Sequence, residues 1–324
     1  MSNPTPGDVH INRPLTNTMI AWGNRAGRYA FNSTFPIVPV PNQSDSYFVW
    51  DRADIFRDEA GEMGPGDRAP VTVARLSNES YNCKVFGLAE RIPDQTRANA
   101  DAPLNMDRGA TRRVTDKCLL KMEKRWVDRF FTLGVWTGST TGTDLVGAVD
   151  FTKFAAPSTG SPVTTIRAQI AKLATLGIDP MTMTLTVGYS VFNAFLDHDD
   201  FLTRYEQTQA AILNEQLMAA VLGIKQVIVP LSVENTAAEL QTATNDFVHG
   251  DNMLLSFAPD APSIDEPSAG YTFAWAGLTG SQNSGMRTLR MRDQFAHSDH
   301  VECQVALDPK ATASELGVFF SDCL

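Results

Sequence analysis

Residues 31–101 read FNSTFPIVPVPNQSDSYFVWDRADIFRDEAGEMGPGDRAPVTVARLSNESYNCKVFGLAERIPDQTRANAD, and this stretch decides how the chain is organised. Phe35, Ile37, Val38, Val40, Tyr47, Phe48, Val49, Trp50, Ile55 and Phe56 are too apolar for a solvated linker. Pro36, Pro39 and Pro41 remove backbone donors and deny the first part a regular ladder or helix. Apolar side chains on an extended chain must be buried by something else. Gly61 to Pro70 is a turn-prone tip with three glycines and two prolines, and the runs on either side can pair as an extended hairpin. An arm followed by a long reaching loop is the equipment of an assembly subunit.

Working outward, Thr111 to Trp136 places Val114, Cys118, Met122, Trp126 and Phe130 four residues apart, with Leu119 and Leu133 beside them. That spacing predicts a long amphipathic helix, with Arg112, Arg113, Asp116, Lys117, Lys121, Glu123, Lys124, Arg125, Asp128 and Arg129 on its charged face. Ile166, Ile170, Leu173 and Leu176 mark a second helix stopped by Gly177 and Pro180, and Met181 to Val187 alternates as a half-buried strand should. Ile212 to Leu222 reads as a helix capped by Gly223, followed by a buried strand over Ile224 to Val233. Strands are expected again over Val301 to Leu307 and Leu316 to Phe320, both beside the long helix.

Composition narrows the class. A chain of 324 residues can bury a real core, and 43% hydrophobic with 20% charged residues is ordinary for a globular protein. No window approaches the roughly 18 consecutive apolar residues of a membrane helix, and the N-terminus lacks a basic flank followed by an apolar core. Cys83, Cys118, Cys303 and Cys323 are widely separated with no CxxC pair, so free thiols are expected. The net charge of −10 argues against reading nucleic acid, though not against enclosing it.

Chemical motifs mostly fail. Thr137 to Gly147 is rich in Gly and Thr but lacks a phosphate-loop lysine. Asp197, His198, Asp199 and Asp200 have the ligands for a hard cation or a hydrolytic site, but adjacent residues point apart. His297 and Cys303 share a strand face that His300 does not. No catalytic, cofactor or metal residue is assigned.

The order of FPIVPV, QSDSYFVWDRADIFRDEA, the Gly/Pro tip, SYNCKVFGLAERI and RANAD resembles the major capsid proteins of tailed double-stranded-DNA phages. Ile212 to Ala237, Phe247 to Gly277 and the basic MRTLRMRD at 286–293 extend the resemblance over nearly the whole chain. It implies an α+β, Hong Kong 97-type fold: an N-terminal arm over 1–45, an extended loop over 46–95, a peripheral domain over 96–163 and 291–324 and an axial domain over 164–290. The helix at about 111–136 becomes its spine helix. It further implies hexamers and pentamers of the chain itself closing around DNA in a virion, assembled in the host cytoplasm. No long charged helical stretch precedes the arm, so the expected partners are a separate scaffolding protein, a portal and a decoration or cement protein.

Some members of that family cross-link a loop lysine to a neighbour's asparagine, yet this chain has no lysine before Lys84, and guanidinium cannot replace the amine. Phe35, Trp50, Asp54, Arg57, Asp58, Glu59, Arg68 and Arg75 are therefore the expected inter-subunit contacts, held by apolar burial and by Arg–carboxylate pairing. The alternatives are an encapsulin-like bacterial nanocompartment shell and an α+β hydrolase built on Asp197 to Asp200.

Overall fold

The computed structural model describes residues 29–50, 60–64, 66, 68–69, 71, 76–100, 105–136, 144–155, 157–205, 214–261, 267–279 and 285–324. In chain order the elements are β1 (Ile37–Val40), β2 (Ser44–Trp50), β3 (Leu76–Asn82), β4 (Lys84–Pro93), α1 (Asp94–Ala98), α2 (Met106–Phe130) and β5 (Asp144–Val146). Then come α3 (Pro162–Ala174), β6 (Met183–Val187), α4 (Tyr189–Leu196), α5 (Asp199–Tyr205), α6 (Glu215–Leu222), β7 (Gln226–Ile228), β8 (Val233–Asn235) and β9 (Asn245–Phe247). The last are β10 (Met253–Phe257), β11 (Gly270–Trp275), α7 (Ala276–Thr279), β12 (Met286–Asp293), β13 (Ser298–Ala311) and β14 (Gly317–Ser321).

Helix α2 organises the rest. Its 25 residues, about 37 Å long at 1.5 Å per residue, bury Ala110, Val114, Cys118, Met122, Glu123, Trp126 and Phe130 along one side. It starts five residues earlier than the sequence suggests because the Asn105 side chain accepts from the Arg108 amide at 3.0 Å and caps the first turn. It ends at Phe130 rather than Trp136, and Gly134 adopts a left-handed φ of 89° as the chain turns away.

The helix lies on a five-stranded sheet of order β1-β11-β13-β12, with β4 also paired to β13. Strand β13 has 14 residues, so its first half takes β12 on one side and β4 on the other, and its end takes β11. Val301, Cys303 and Val305 alternate inward, and the Cys118 thiol on α2 sits 3.7 Å from the Cys303 carbonyl oxygen. Strand β1 pairs in parallel with β11 despite Pro39, contrary to the expectation that three prolines exclude a ladder. It is the end strand of its sheet, where a missing donor costs nothing.

A second five-stranded sheet has the order β5-β14-β10-β6-β7. All five residues of β6 are buried, so it is a central strand rather than the half-buried one its alternation suggests. Residues 224–233 make not one strand but β7, a connection and the start of β8, which pairs separately with β9. Strand β14 was expected beside β13, yet it pairs with β10 and β5, while β11, expected in the axial region, pairs with β13. A buried apolar run within a single strand does not say which sheet it joins. One apolar cluster runs from α2 through this second sheet and includes Tyr29, Ala30, Phe31 and Phe35.

Candidate assembly surfaces

The described part of the arm enters the core of its own chain. Phe35 is 1% exposed, with ring centroids 4.6 Å from Phe130, 5.8 Å from Trp126 and 6.4 Å from Trp136. The sequence suggests Phe35 as a contact with a neighbouring chain; here its apolar surface is buried within its own chain. The amides of Ala30 and Phe31 donate to the two carboxylate oxygens of Glu123 at 2.9 and 3.0 Å. Glu123 belongs to the buried side of α2, not the charged face assigned to it. Leu119 and Val127 at four residues either side mark that position as part of the apolar stripe.

Around Glu123 lies a closed polar node. His249 Nε2 is 3.3 Å from Glu123 Oε1, and His249 Nδ1 is 3.3 Å from the Ser232 hydroxyl, with Phe131 edge-on to the imidazole at 5.0 Å. All three side chains are buried, so no substrate can reach them. Burial raises the Glu123 carboxyl from 4.5 to about 7, opposed by the two arm amides, and lowers His249 to about 3. The node therefore joins the arm, α2 and the β7–β10 connections. Lys124 pairs with Glu234 beside it and fastens α2 to β8.

The extended loop is a hairpin at its base. β2 and β3 pair antiparallel from Ser44 opposite Asn82 to Trp50 opposite Leu76, as the flanking runs suggest. Its root is fixed to β11: Tyr81 stacks on Phe273 at 4.7 Å, Tyr47 lies 5.3 Å from the same ring, and Trp275 Nε1 donates to the Pro41 carbonyl at 3.0 Å. The Asn82 amide donates to Asp308 at 2.9 Å. Of the remaining expected contacts, Trp50 closes the ladder by its backbone and Arg68 is exposed. Asp54, Arg57, Asp58, Glu59 and Arg75 lie outside the described residues.

Sequence reasoning missed a cluster at the far end of the first sheet. Asp299, with its side chain 6% exposed, accepts from Arg97 at 2.5 Å, Arg290 at 2.7 Å and Arg292 at 3.3 Å. Arg292 also pairs with Asp94 at 2.5 Å and Arg97 with Asp107 at 2.6 Å, tying β12 and β13 to α1 and the start of α2. The three guanidinium groups, Arg290 foremost, hold the Asp299 carboxyl well below the ordinary carboxylate range. The only forewarning was Arg290 and Arg292 two apart in a strand, hence on one face.

The other candidate ligands have structural work. His198 is buried: its Nε2 is 3.1 Å from the Thr159 carbonyl oxygen, and its Nδ1 accepts from the Asp200 amide at 3.1 Å. Asp200 in turn accepts from the Val163 amide at 3.0 Å, clasping α5 to α3. His297 turns a hairpin at φ 43°, His300 is half-buried beside Asp293, and Cys303 is inside the core, so the three do not converge. All four cysteines are free and buried.

No family model matches the sequence, and no curated protein does. Solved structures do match. A phage-related protein from Bordetella bronchiseptica RB50 is 17% identical, with 97% of each chain covered and a TM-score of 0.69. The capsid of cyanophage P-SCSP1u is 10% identical over 98% of this chain and 94% of that one, with a TM-score of 0.59. The mature capsid of bacteriophage PhiM1 is 10% identical over 98% of each chain, with a TM-score of 0.56. The α+β architecture described above is thus the fold of phage capsid subunits, preserved where sequence identity is nearly lost.

Proposed function

We propose that this chain is the structural subunit of an icosahedral phage head, assembling into hexamers and pentamers that enclose a double-stranded DNA genome. The observation that carries the reading is the two-way coverage: nearly all of this chain matches nearly all of two capsid chains. The local geometry supports it. The arm and the β2–β3 hairpin are pinned at their roots, by the Glu123 node and by β11, so the chain beyond each root starts from a fixed place. The role is structural in this reading: His198 and Asp200 serve as a helix clasp, and Cys303 lies in the core.

In this reading the β13 sheet with α2 is the peripheral domain and the β10 sheet with its helices the axial domain. Their sequence boundaries are more interleaved than 96–163, 164–290 and 291–324, because β11 and β14 trade places. The product is a virion component, and no described helix is long and apolar enough to cross a membrane. Assembly in the host cytoplasm, with a scaffolding protein, a portal and a decoration protein as partners, completes the proposal. The acidic balance of −10 suits a wall that contains DNA without gripping it. Sedimentation velocity on the purified chain tests the proposal: megadalton particles or capsomers support it, and a species of one or two chains of 35.4 kDa contradicts it. Particles filled with a cargo enzyme instead of DNA on production in the phage's host would favour the nanocompartment.

A further inference from the structure

Helix α2 carries a row of cations outside its buried stripe. Arg113, Lys117, Lys121, Arg125 and Arg129 follow one another at intervals of four residues, each about 6 Å further along the axis. Arg113 is held by Glu90 on β4, and the neighbouring Arg112 and Lys124 have Asp116 and Glu234. Lys117, Lys121, Arg125 and Arg129 take part in no ion pair among the described residues, and Lys117, Lys121 and Arg129 are exposed. The two in the middle are set in place: Lys121 Nζ and Arg125 Cζ lie 5.3 and 5.2 Å from the centroid of the Phe86 ring on β4, a contact that orients both and neutralises neither. Like charges four residues apart weaken a helix, so the chain keeps an arrangement that costs it stability and lacks an internal counter-charge. Acidic residues outnumber basic ones 37 to 27, yet none of the described carboxylates is paired with these four.

The chemistry of the row selects its partner. Protein interfaces are centred on apolar and aromatic anchors and are poor in lysine. No large apolar side chain of α2 is exposed. Unpaired ammonium and guanidinium groups spread over about 18 Å fit a line of phosphates, which duplex DNA presents at one charge per about 1.7 Å of its axis. Resting on the shell reading above, we propose that the exposed side of α2 faces the interior of the shell and that Lys117, Lys121, Arg125 and Arg129 contact the phosphate backbone of the enclosed duplex. Contacts to phosphate carry no sequence information, so any duplex serves. In one chain the contact is weak, because the rest of the chain is acidic; along a duplex it is repeated from subunit to subunit.

Fluorescence anisotropy of a labelled duplex of random sequence, titrated with the full-length unassembled chain over a range of salt concentrations, tests the contact. Four phosphate contacts predict that log K falls with log salt at a slope of about −3.6, each contact contributing about −0.9. Replacing Lys117, Lys121 and Arg125 together by Gln should bring the slope to about −0.9 and lower the affinity at about 50 mM salt at least about tenfold. The double variant Lys117→Gln, Lys121→Gln should give about −1.8, and it decides the matter if circular dichroism shows the triple variant unfolded. Lys172→Gln, an exposed lysine on α3 outside the row, should leave the slope unchanged. A wild-type chain that does not bind the duplex, or binds it with the slope of its variants, overturns the proposal. Variants that bind DNA as the wild type does but no longer form particles would give the row to a neighbouring copy or an acidic protein, so the DNA contact falls while the shell reading stands. If the wild-type chain makes no large particles in sedimentation, the shell reading fails and the interior placement of α2 with it.

Discussion

Replacing Glu123 by Gln perturbs the ionisable side chain that holds the amides of Ala30 and Phe31 inside the core. The folded-state pKa of about 7 against 4.5 amounts to about 3 kcal/mol that folding spends to keep the carboxylate ionised above neutrality. The sign follows from a raised pKa: the contribution is fully present below about 4.5 and is lost as pH rises through about 7. Gln is neutral throughout, but its single amide oxygen replaces two carboxylate oxygens, leaving either the Ala30 or the Phe31 amide without its acceptor. An orphaned buried amide costs about 1–3 kcal/mol. Glu123→Gln should therefore be destabilising by that amount at about pH 5 and close to neutral, or stabilising, at about pH 8. Urea unfolding of the unassembled chain, followed by tryptophan fluorescence, with Trp126 beside His249 at the node, measures it. Burial lowers His249 to about 3 in the wild-type chain, so its imidazole is neutral there at both pH values. An unfolding difference that is the same at both pH values would refute the reasoning, because the carboxylate would then carry no burial cost.

Phe35→Ala should lower unfolding stability by about 3–5 kcal/mol in the same assay, since it empties a site walled by Trp126, Phe130 and Trp136; a loss seen only in assembly would return Phe35 to an interface. Asp299→Asn should speed amide exchange across residues 286–300 and flatten the acid limb of the melting curve. The depressed carboxyl stabilises above the ordinary carboxylate range and loses that contribution as pH falls through it, so an unchanged limb contradicts the cluster. Boiled particles should give a single band at 35.4 kDa with or without reductant, given the absence of lysine before Lys84 and four buried thiols; a persistent ladder would reveal a covalent link. Arg68→Glu should leave the monomer's melt unchanged and reduce particle yield, more so at low salt where exposed ion pairs are least screened; equal yield at all salt concentrations makes Arg68 only a solvated charge.

What local sequence dictates was readable. The recurrence from Val114 to Phe130 located α2, Gly223 at φ 74° stops α6 as its type requires, and the runs flanking the Gly/Pro tip do pair as β2 and β3. What depends on distant partners was not. Pairing of β1 with β11 brings together residues more than two hundred positions apart, and nothing in IVPV specifies that neighbour. The apolar run at β14 satisfies either sheet equally, and only the three-dimensional packing assigns it to β10. The aromatic slot beside α2 that takes Phe35 is likewise hidden in the sequence. Glu123 and Asp299 escaped notice for the same reason: a carboxylate looks solvated until the amides or arginines that surround it are known.

The central claim is that this chain builds a closed shell from copies of itself, and electron cryomicroscopy of particles purified after its expression tests it most directly. The account predicts icosahedral particles whose wall resolves into hexamers and pentamers. Each subunit should carry α2 along the β13 sheet, with Tyr29–Phe35 threaded beneath it in the same chain. Discrete small oligomers under all assembly conditions, or a wall in which residues 29–35 fill a neighbour's core instead of their own, would contradict it.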